Sequence, residues 1–182
     1  MPLPSRPTSH VELDYTQHFA IDLPGEPKCD QVLHRHPNGL SVVCLAASHP
    51  LLQAKLDGSS ELKVDFNVGR KNRLDTQVSG KKKRNASVLE KDSVLCEVTA
   101  PGDKKYAIRC CVRGKLLEVN ERLVQEPHLL LQQPWSDGFV AVMMPESRQD
   151  KEMQENLISM DAYKKLRGDG GETSEEVVGV EP

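Results

Sequence analysis

The clearest pattern in the chain is an alternation of apolar and polar side chains over residues 61–68, which read "ELKVDFNV". Leu62, Val64, Phe66 and Val68 fall on one face, and the residues between them are polar. Successive side chains of a strand point to opposite faces of a sheet, so a period of two predicts a half-buried β-strand.

Other short apolar runs are separated by turn residues. "GLSVVCLAA" follows Pro37-Asn38-Gly39, which predicts a hairpin whose second strand covers about 40–46. Two more strands flank a tight turn at 101–103, and "GFVAVMM" predicts the last strand. We also expect a tight turn at Gly114, where a side chain would be penalised. Short strands at a spacing of about ten residues indicate a small β-barrel or sandwich.

Helical patterns are confined to the C-terminal part of the chain. In "SMDAYKKLRG", Ser159 is a suitable N-cap, Asp161 lies in the first turn, and Gly168 ends the segment. The stretch "QDKEMQENLI" before it is a second candidate. The sequence therefore predicts one or two short helices after the strands.

The composition predicts one domain with two disordered ends. Residues 1–12 are rich in proline and small polar residues, residues 13–167 contain the strand patterns, and residues 168–182 are acidic and glycine-rich. The chain has no apolar run of about 18 residues and no apolar segment typical of a signal peptide. We therefore expect a protein of the cytosol or nucleus that does not contact a membrane.

The five cysteines and the polar residues give no pattern of a reactive or metal site. Cys29 lies near His34 and His36, but no second cluster completes a zinc site. The expectation is buried, reduced thiols. The chain also lacks a nucleophile elbow, a P-loop and a G-x-G-x-x-G motif. These observations predict no enzyme activity, no cofactor, no metal and no small-molecule substrate.

Positive charge is concentrated in the middle of the chain. If the strands around 62–69 and 86–90 are neighbours, one basic patch would contain Arg70, Lys71, Arg73, Lys81, Lys82, Lys83 and Arg84. Such a patch suits an acidic partner protein, a nuclear address or nucleic acid, and equally a turn kept soluble by charge. Aromatic residues are only 4% of the chain and none interrupts the basic run, which argues against nucleic acid.

A motif in the second half of the chain resembles the glycine cleavage H-protein family. The matching positions are Val112, Gly114, Leu116, Glu118, Val119, Asn120, Leu123, Pro127, Leu129, Leu130, Pro134, Trp135, Gly138, Phe139, Leu157, Ile158 and Tyr163. The resemblance covers residues 78 to about 167. It implies an all-β barrel-sandwich hybrid fold, as in lipoyl and biotinyl carriers, and an aromatic plug at Trp135 that is partly buried.

The H-protein resemblance also implies a position for the carrier lysine. In that family the modified lysine stands eleven residues before the glycine of the motif, and here that position is Asp103. The resemblance in fold therefore does not bring the carrier function with it. The alternative is a lipoyl or biotinyl carrier that uses the adjacent Lys104 or Lys105, which we otherwise interpret as solvated turn residues.

A second resemblance covers more of the chain, from about residue 14 to 145. "LSVVCLAASHPLLQ", "VSGKKKR", "LCEV", "CVRGKLLEVNERL" and "GFVAVMMP" occur in the order found in the Abitram (Simiate) family, and they include His49 of "SHP", a predicted turn residue. This resemblance implies an actin-binding protein that contacts monomeric and filamentous actin, influences filopodia and dendrites, and modulates transcription. It implies residence in nuclear speckles, cytoplasm and cell projections, and it leaves the oligomeric state open.

Overall fold

A computed structural model describes residues 14–23, 27–54, 56, 61–76, 86–146, 151 and 155–168. Within these ranges most of the regular structure is β-strand. The strands are β1 (Thr16–Ala20), β2 (Gln31–Arg35), β3 (Ser41–Leu45), β4 (Lys63–Asp65), β5 (Asn67–Val68), β6 (Lys71–Asn72), β7 (Val88–Leu89), β8 (Val94–Ala100), β9 (Lys104–Arg109), β10 (Gly114–Val119), β11 (Ala141–Pro145) and β12 (Ile158–Ser159). The helices are α1 (Pro50–Gln53), α2 (Arg122–Gln125), α3 (Leu129–Gln132) and α4 (Met160–Arg167), with a 3-10 turn at Arg73–Thr76.

The strands form two main sheets and one small hairpin. A seven-stranded sheet has the order β12-β1-β2-β3-β11-β10-β7, and a three-stranded sheet has the order β4-β8-β9. Strands β5 and β6 pair only with each other. All these pairings are antiparallel. This all-β architecture, with its few short helices, confirms the predicted barrel-sandwich hybrid fold.

The main core lies between the two sheets. The large sheet contributes Leu33 and Leu45, and the small sheet contributes Leu95 and Ile108, all fully buried. Burial of one such side chain contributes about 1.5–3 kcal/mol relative to exposure. Alternate residues of β2 and β3 point to the opposite face of the large sheet, where Val32 and Cys44 belong to a second, smaller cluster.

The predicted hairpins are confirmed, but the strand predicted over 61–68 is divided. Val64 and Phe66 are buried, as the alternation predicted. The Asp65 carboxylate accepts a hydrogen bond of 2.8 Å from the Asn67 backbone N–H. This local bond turns the chain at Phe66, because an Asp side chain offers the backbone an alternative to the sheet ladder. Strand β4 therefore stays with the small sheet, and β5 starts a separate hairpin.

The predicted C-terminal helix is confirmed at both ends. The Ser159 hydroxyl accepts a hydrogen bond from the Ala162 N–H at the start of α4, and Gly168, with φ of 81°, follows the last helical residue. Asp161 lies in the first turn, and lysine and arginine side chains lie in the last, which complements the helix dipole. Half of the predicted helix over "QDKEMQENLI" lies outside the described residues; Lys151, Glu155 and Asn156 are helical, and Ile158 begins β12.

The prediction of a tight turn at Gly114 is wrong. Gly114 is the first residue of β10 and pairs with both Pro145 on β11 and Leu89 on β7. A Cβ atom on Gly114 would lie 2.3 Å from the Met144 carbonyl oxygen. The glycine is required because a neighbouring strand passes close to its Cα, whereas turn geometry plays no part.

Other motif residues of the second half are also structural. The buried Asn120 side chain donates hydrogen bonds to the carbonyl oxygens of Asp137 (2.7 Å) and Phe139 (2.8 Å). A Cβ on Gly138 would lie 2.2 Å from the carbonyl oxygen of Leu129. The indole N–H of Trp135 donates to the Leu45 carbonyl at 2.9 Å, and the ring is partly buried, as expected for a plug. These residues fix the chain between β10 and β11.

Two further sequence predictions can be compared with the described residues. All five cysteines are free and buried, which confirms the thiol prediction. No helix in the described ranges is long and apolar enough to cross a membrane. The ends predicted to be disordered, residues 1–12 and the tail after 168, lie outside the described residues.

Candidate functional site

The first candidate site is the carrier hairpin, formed by β8, β9 and the turn Pro101-Gly102-Asp103 between them. The pairing closes with Ala100 opposite Lys104, so the three turn residues form the tip. Gly102 has φ of 81° and Asp103 has φ of 57°. Glycine and aspartate tolerate this left-handed region better than most residues, so the local sequence is suited to the turn.

The expected carrier position is occupied by a carboxylate at the tip. Asp103 is exposed and lies at the last position of the turn. A carboxylate cannot form the amide link by which a lysine amine holds a lipoyl or biotinyl group. The hairpin thus exposes the position expected for the modified lysine, but the side chain there is one that cannot be modified in that way.

The two adjacent lysines lie against neighbouring side chains. The Lys104 Nζ is 5.2 Å from the centroid of the Tyr106 ring, a cation–π distance. A hydrogen bond to Tyr106 raises the pKa of Lys104 and keeps this amine charged. The Lys105 Nζ is 3.7 Å from a carboxylate oxygen of Glu97 on β8. Both contacts are exposed, so each lysine is restrained only weakly.

Below the tip, a buried histidine supports the carrier hairpin. His49 is fully buried, and its ring lies 5.4 Å from that of Tyr106 in an edge-to-face arrangement. Its Nδ1 accepts a hydrogen bond from the Leu51 N–H at the start of α1. Burial lowers the pKa of His49 to about 4, against a smaller opposing effect of Asp30. The imidazole is therefore neutral, and it is the N-cap of α1 as well as a turn residue.

A buried glutamine joins the base of the carrier hairpin to the large sheet. The Gln31 side chain donates to the Arg109 carbonyl at 2.8 Å and accepts from the Arg109 N–H at 2.8 Å. Its amide therefore forms hydrogen bonds with the backbone N–H and carbonyl at the end of β9, as the backbone of another strand would. Sequence reasoning missed this role, because only the pairing of β2 with β3 brings Gln31 to this edge.

The second candidate site is the basic hairpin, β5 and β6 with the turn Gly69-Arg70. Val68 pairs with Lys71, which leaves a two-residue loop, and Gly69 has the positive φ (61°) that such loops favour. Arg70 and Lys71 are both exposed at this loop. These two predicted partner-binding residues are therefore accessible and adjacent.

Arg73, also predicted to bind the partner, is mostly buried and is not exposed with Arg70 and Lys71. Its side chain is 8% exposed, and its Nε and Nη2 donate to the Val94 carbonyl at 3.2 and 3.1 Å. A guanidinium group has several donors in a fixed geometry, so it can hold the 3-10 turn against the first residue of β8. Arg73 therefore has a structural role, because it holds the 3-10 turn against β8.

The strand neighbourhood assumed for the basic patch is also wrong. Strand β4 pairs with β8, whereas β7 pairs with β10 in the other sheet. The strands around 62–69 and 86–90 thus do not pair with each other in a sheet. Lys81, Lys82, Lys83 and Arg84 lie outside the described residues, so their distance from Arg70 and Lys71 stays a prediction.

Metal ligands are not gathered anywhere in the described part of the chain. No group of three or more His, Cys, Asp or Glu side chains has the arrangement that a metal ion needs. Cys29, His34 and His36 do not form such a group within the described residues.

Comparison with known proteins identifies the family. Over 159 residues the chain is 33% identical to Protein Abitram of Xenopus tropicalis, covering 87% of this chain and 85% of the relative. It is 35% identical over 161 residues to Protein Abitram of Dictyostelium discoideum, covering 86% and 87%. The chain belongs to the Abitram family. The two relatives have nearly the same sequence identity to this chain. The Abitram match also extends well beyond the half of the chain that contains the H-protein motif.

The same chain shares the H-protein domain. Residues 71–169 match the family model described as glycine cleavage H-protein. A solved H protein of the glycine cleavage system from Mycobacterium marinum aligns with a TM-score of 0.48 and 16% identity, covering 85% of this chain and 97% of that one. This Abitram family member thus has an H-protein-type domain with Asp103 at the position where the resemblance places a lysine.

Proposed function

We propose that this Abitram family member is a non-enzymatic actin-binding protein that contacts monomeric and filamentous actin through basic side chains. The observation that carries the proposal is the family membership, over 87% of the chain, because the resemblance to that family implies actin binding. The same resemblance supports roles in filopodia and dendrite morphology and in transcription, in nuclear speckles, cytoplasm and cell projections.

The carrier hairpin supports a binding role over a carrier role. The tip residue is Asp103, and both neighbouring lysines have side-chain partners on the hairpin itself. A hairpin that has no acceptor lysine at its tip still presents a rigid surface, because its fold is set by the buried residues below. Abitram relatives carry no enzyme name, and the described residues contain no catalytic arrangement that would favour one.

The basic hairpin provides the charge that an acidic partner requires. Arg70 and Lys71 are exposed side by side, and Lys81 to Arg84 follow closely in sequence. A single exposed charge pair contributes only about 0.2–1 kcal/mol. A cluster of charges additionally steers association over roughly one Debye length, about 10 Å at 0.1 M salt. Actin has an acidic surface, so binding should weaken as salt rises.

The test is co-sedimentation of the purified protein with filamentous actin at low and high salt. We expect reversal of Lys81, Lys83 and Arg84 to glutamate to weaken binding strongly, because it replaces three of the seven charges of the predicted basic patch with negative ones. Reversal of Arg70 and Lys71 should weaken it as well, because they form the accessible part of the basic hairpin. Monomeric actin is tested in parallel by its rate of polymerisation.

Reversal of Lys104 and Lys105 is the matched control. It makes a similar charge change at two exposed residues next to a hairpin turn, at the start of β9 on the carrier hairpin. If this variant loses binding while the basic-hairpin variants keep it, the contact surface is the carrier hairpin. If the wild-type protein does not sediment with actin at low salt, the proposed function is wrong.

A further inference from the structure

The large sheet has two buried faces of different size, and they are closed by different elements. One face packs on the small sheet to form the main core. The other face carries the second cluster, which consists of Phe19, Val32, Cys44, Ala46 and Tyr163. Phe19, Val32 and Cys44 lie on β1, β2 and β3, Ala46 directly follows β3, and Tyr163 comes from α4. The second cluster is therefore covered in part by the C-terminal segment, through Tyr163, Ile158 and Met160, and in part by Trp135 and Phe139.

The C-terminal segment is attached through short elements. Strand β12 pairs with β1 at two positions, His18 with Ser159 and Phe19 with Ile158. Of the eight residues of α4, Tyr163 is the one that is buried, and its ring stacks on Phe19 with centroids 3.9 Å apart. Leu166 points outward and is 53% exposed. A helix of two turns has little stability of its own, so its position depends on these tertiary contacts.

A charged cluster fixes the far end of the same helix. The Arg167 Nε donates to a carboxylate oxygen of the fully buried Asp30 at 2.9 Å, and its Nη2 donates to Asp22 at 2.8 Å. The Tyr163 hydroxyl also contacts Asp30 and Ser48. Arg167 is thus the positive partner of a carboxylate that the surrounding chain removes from water.

We propose that β12 and α4 form a clasp that opens and closes while the rest of the domain stays folded, with Arg167 holding it closed. Opening removes Tyr163 and Ile158 from the second cluster, so it uncovers Phe19, on which Tyr163 stacks, and leaves Val32, Cys44 and Ala46 with fewer covering side chains. Elements with few buried contacts open at lower free energy than the core, so the clasp can open without unfolding of the main core. The open state is an apolar surface that the clasp otherwise masks.

Two cysteines provide an internal test of this proposal. Cys44 belongs to the second cluster, which the clasp covers in part, whereas Cys96 lies in the main core on β8. Both are fully buried, and burial raises the pKa of both thiols. A thiol reagent therefore reaches each one only when its surroundings open. The ratio of the two labelling rates separates local opening of the clasp from unfolding of the whole domain.

The experiment is alkylation of the native full-length protein, followed by peptide mapping to quantify each cysteine. We expect Cys44 to react at least about tenfold faster than Cys96, because local opening precedes global unfolding. Arg167→Ala should raise the Cys44 rate by about tenfold or more, the effect of losing charge-assisted hydrogen bonds, and leave Cys96 nearly unchanged. Arg122→Ala is the matched control, since it removes an exposed ion pair with Glu126 remote in sequence from the clasp.

The wild-type comparison keeps the test decisive even if Arg167→Ala folds poorly. Equal labelling rates of Cys44 and Cys96 in the wild-type protein would overturn the proposal, because they would show that the two sites open together. Hydrogen exchange gives a second measurement. The amides of α4 should exchange faster than those of β8, and equal protection of the two elements would also contradict an independent clasp.

Discussion

The motif-bearing segment from Gly114 to Phe139 and the tip of the carrier hairpin differ in how strongly the surrounding structure constrains their residues. In the first, Gly114, Asn120 and Gly138 are each required by backbone groups that lie within bonding or contact distance. At the tip, the side chain of Asp103 is exposed and meets no such constraint beyond its turn conformation. The segment that identifies the fold thus contains no candidate functional side chain. Asp103, at the position expected for the modified lysine, can be replaced without a steric clash of its side chain.

This difference explains how an H-protein-type fold can exist without its carrier lysine. The motif residues stabilise the connection between β10 and β11, and replacing any of them disturbs packed backbone. Replacing the tip residue changes the function of a carrier and leaves its fold intact. Resemblance in the motif therefore reports on fold, and the activity has to be argued from the surface.

The sharpest test of the comparison places the same methyl group in both regions. Gly114→Ala should lower the free energy of unfolding by about 3 kcal/mol or more, because the new Cβ would clash with the backbone of β11. Gly102→Ala should cost only about 1 kcal/mol, since its Cβ meets open space and only the positive φ is penalised. Denaturant unfolding of both variants measures the difference. Equal losses would show that β10 and β11 are not as close as the structure places them.

The buried histidine beneath the tip predicts an acid-sensitive stability. With a pKa lowered from 6.5 to about 4, folded His49 stays neutral while the unfolded chain takes up a proton. Stability is therefore complete above about pH 6.5 and decreases as the pH falls toward 4, by up to on the order of 3 kcal/mol. Unfolding curves at a series of pH values measure this slope.

His49→Asn is the control for the acid effect, because asparagine is a good N-cap and does not titrate in this range. The variant will be less stable overall, since a buried ring is lost. Its unfolding free energy should nevertheless vary less between pH 6.5 and 4 than that of the wild type. An unchanged pH slope would mean that other groups cause the acid sensitivity.

Removal of the Asn120 amide should have an intermediate effect. Asn120→Ala leaves the carbonyl oxygens of Asp137 and Phe139 without this donor, which costs about 2 kcal/mol at roughly 1 kcal/mol for each hydrogen bond. Asn67→Ala, at an exposed asparagine of the basic hairpin, should change stability by less than about 0.5 kcal/mol. Thermal melting of the two variants distinguishes a structural asparagine from a solvated one.

The smallest effect is expected at the tip itself. Asp103→Lys should change the free energy of unfolding by less than about 1 kcal/mol, because only the left-handed backbone conformation disfavours lysine there. Intact-mass measurement of the unaltered protein from its native cells should show no lipoyl or biotinyl adduct. An adduct mapped to Lys104 or Lys105 would make this hairpin a working carrier and would overturn the comparison.

Much of the fold could be predicted from the sequence where one local signal decides the structure. The α4 helix has its cap, its charges and its terminating glycine within ten residues, and it forms as predicted. The turns at 37–39 and 101–103 likewise depend on glycine and on residues that tolerate positive φ. Their physical cause is local, so it is visible in a single sequence.

The candidate site was predicted less well, because its residues are defined by distant partners. Arg70 and Lys71 are exposed as predicted, but Arg73 two positions later is buried against Val94. Its charge alone does not reveal this, since arginine occurs both on surfaces and in buried hydrogen-bonded positions. The burial depends on where the 3-10 turn meets β8, a contact across 21 residues of sequence.

The sequence by itself determined the strand faces, the tight turns, the C-terminal helix and the family. Through the resemblance to the H-protein family, it also placed Asp103 where that family has its modified lysine. Only the tertiary structure decided that Gly114 is held by a neighbouring strand, that Gln31 closes the end of β9, and that Arg167 reaches Asp30. The physical reason is range: propensity and alternation act over a few residues, whereas steric contact, edge pairing and buried charge pairs form between residues that only the folded chain brings together.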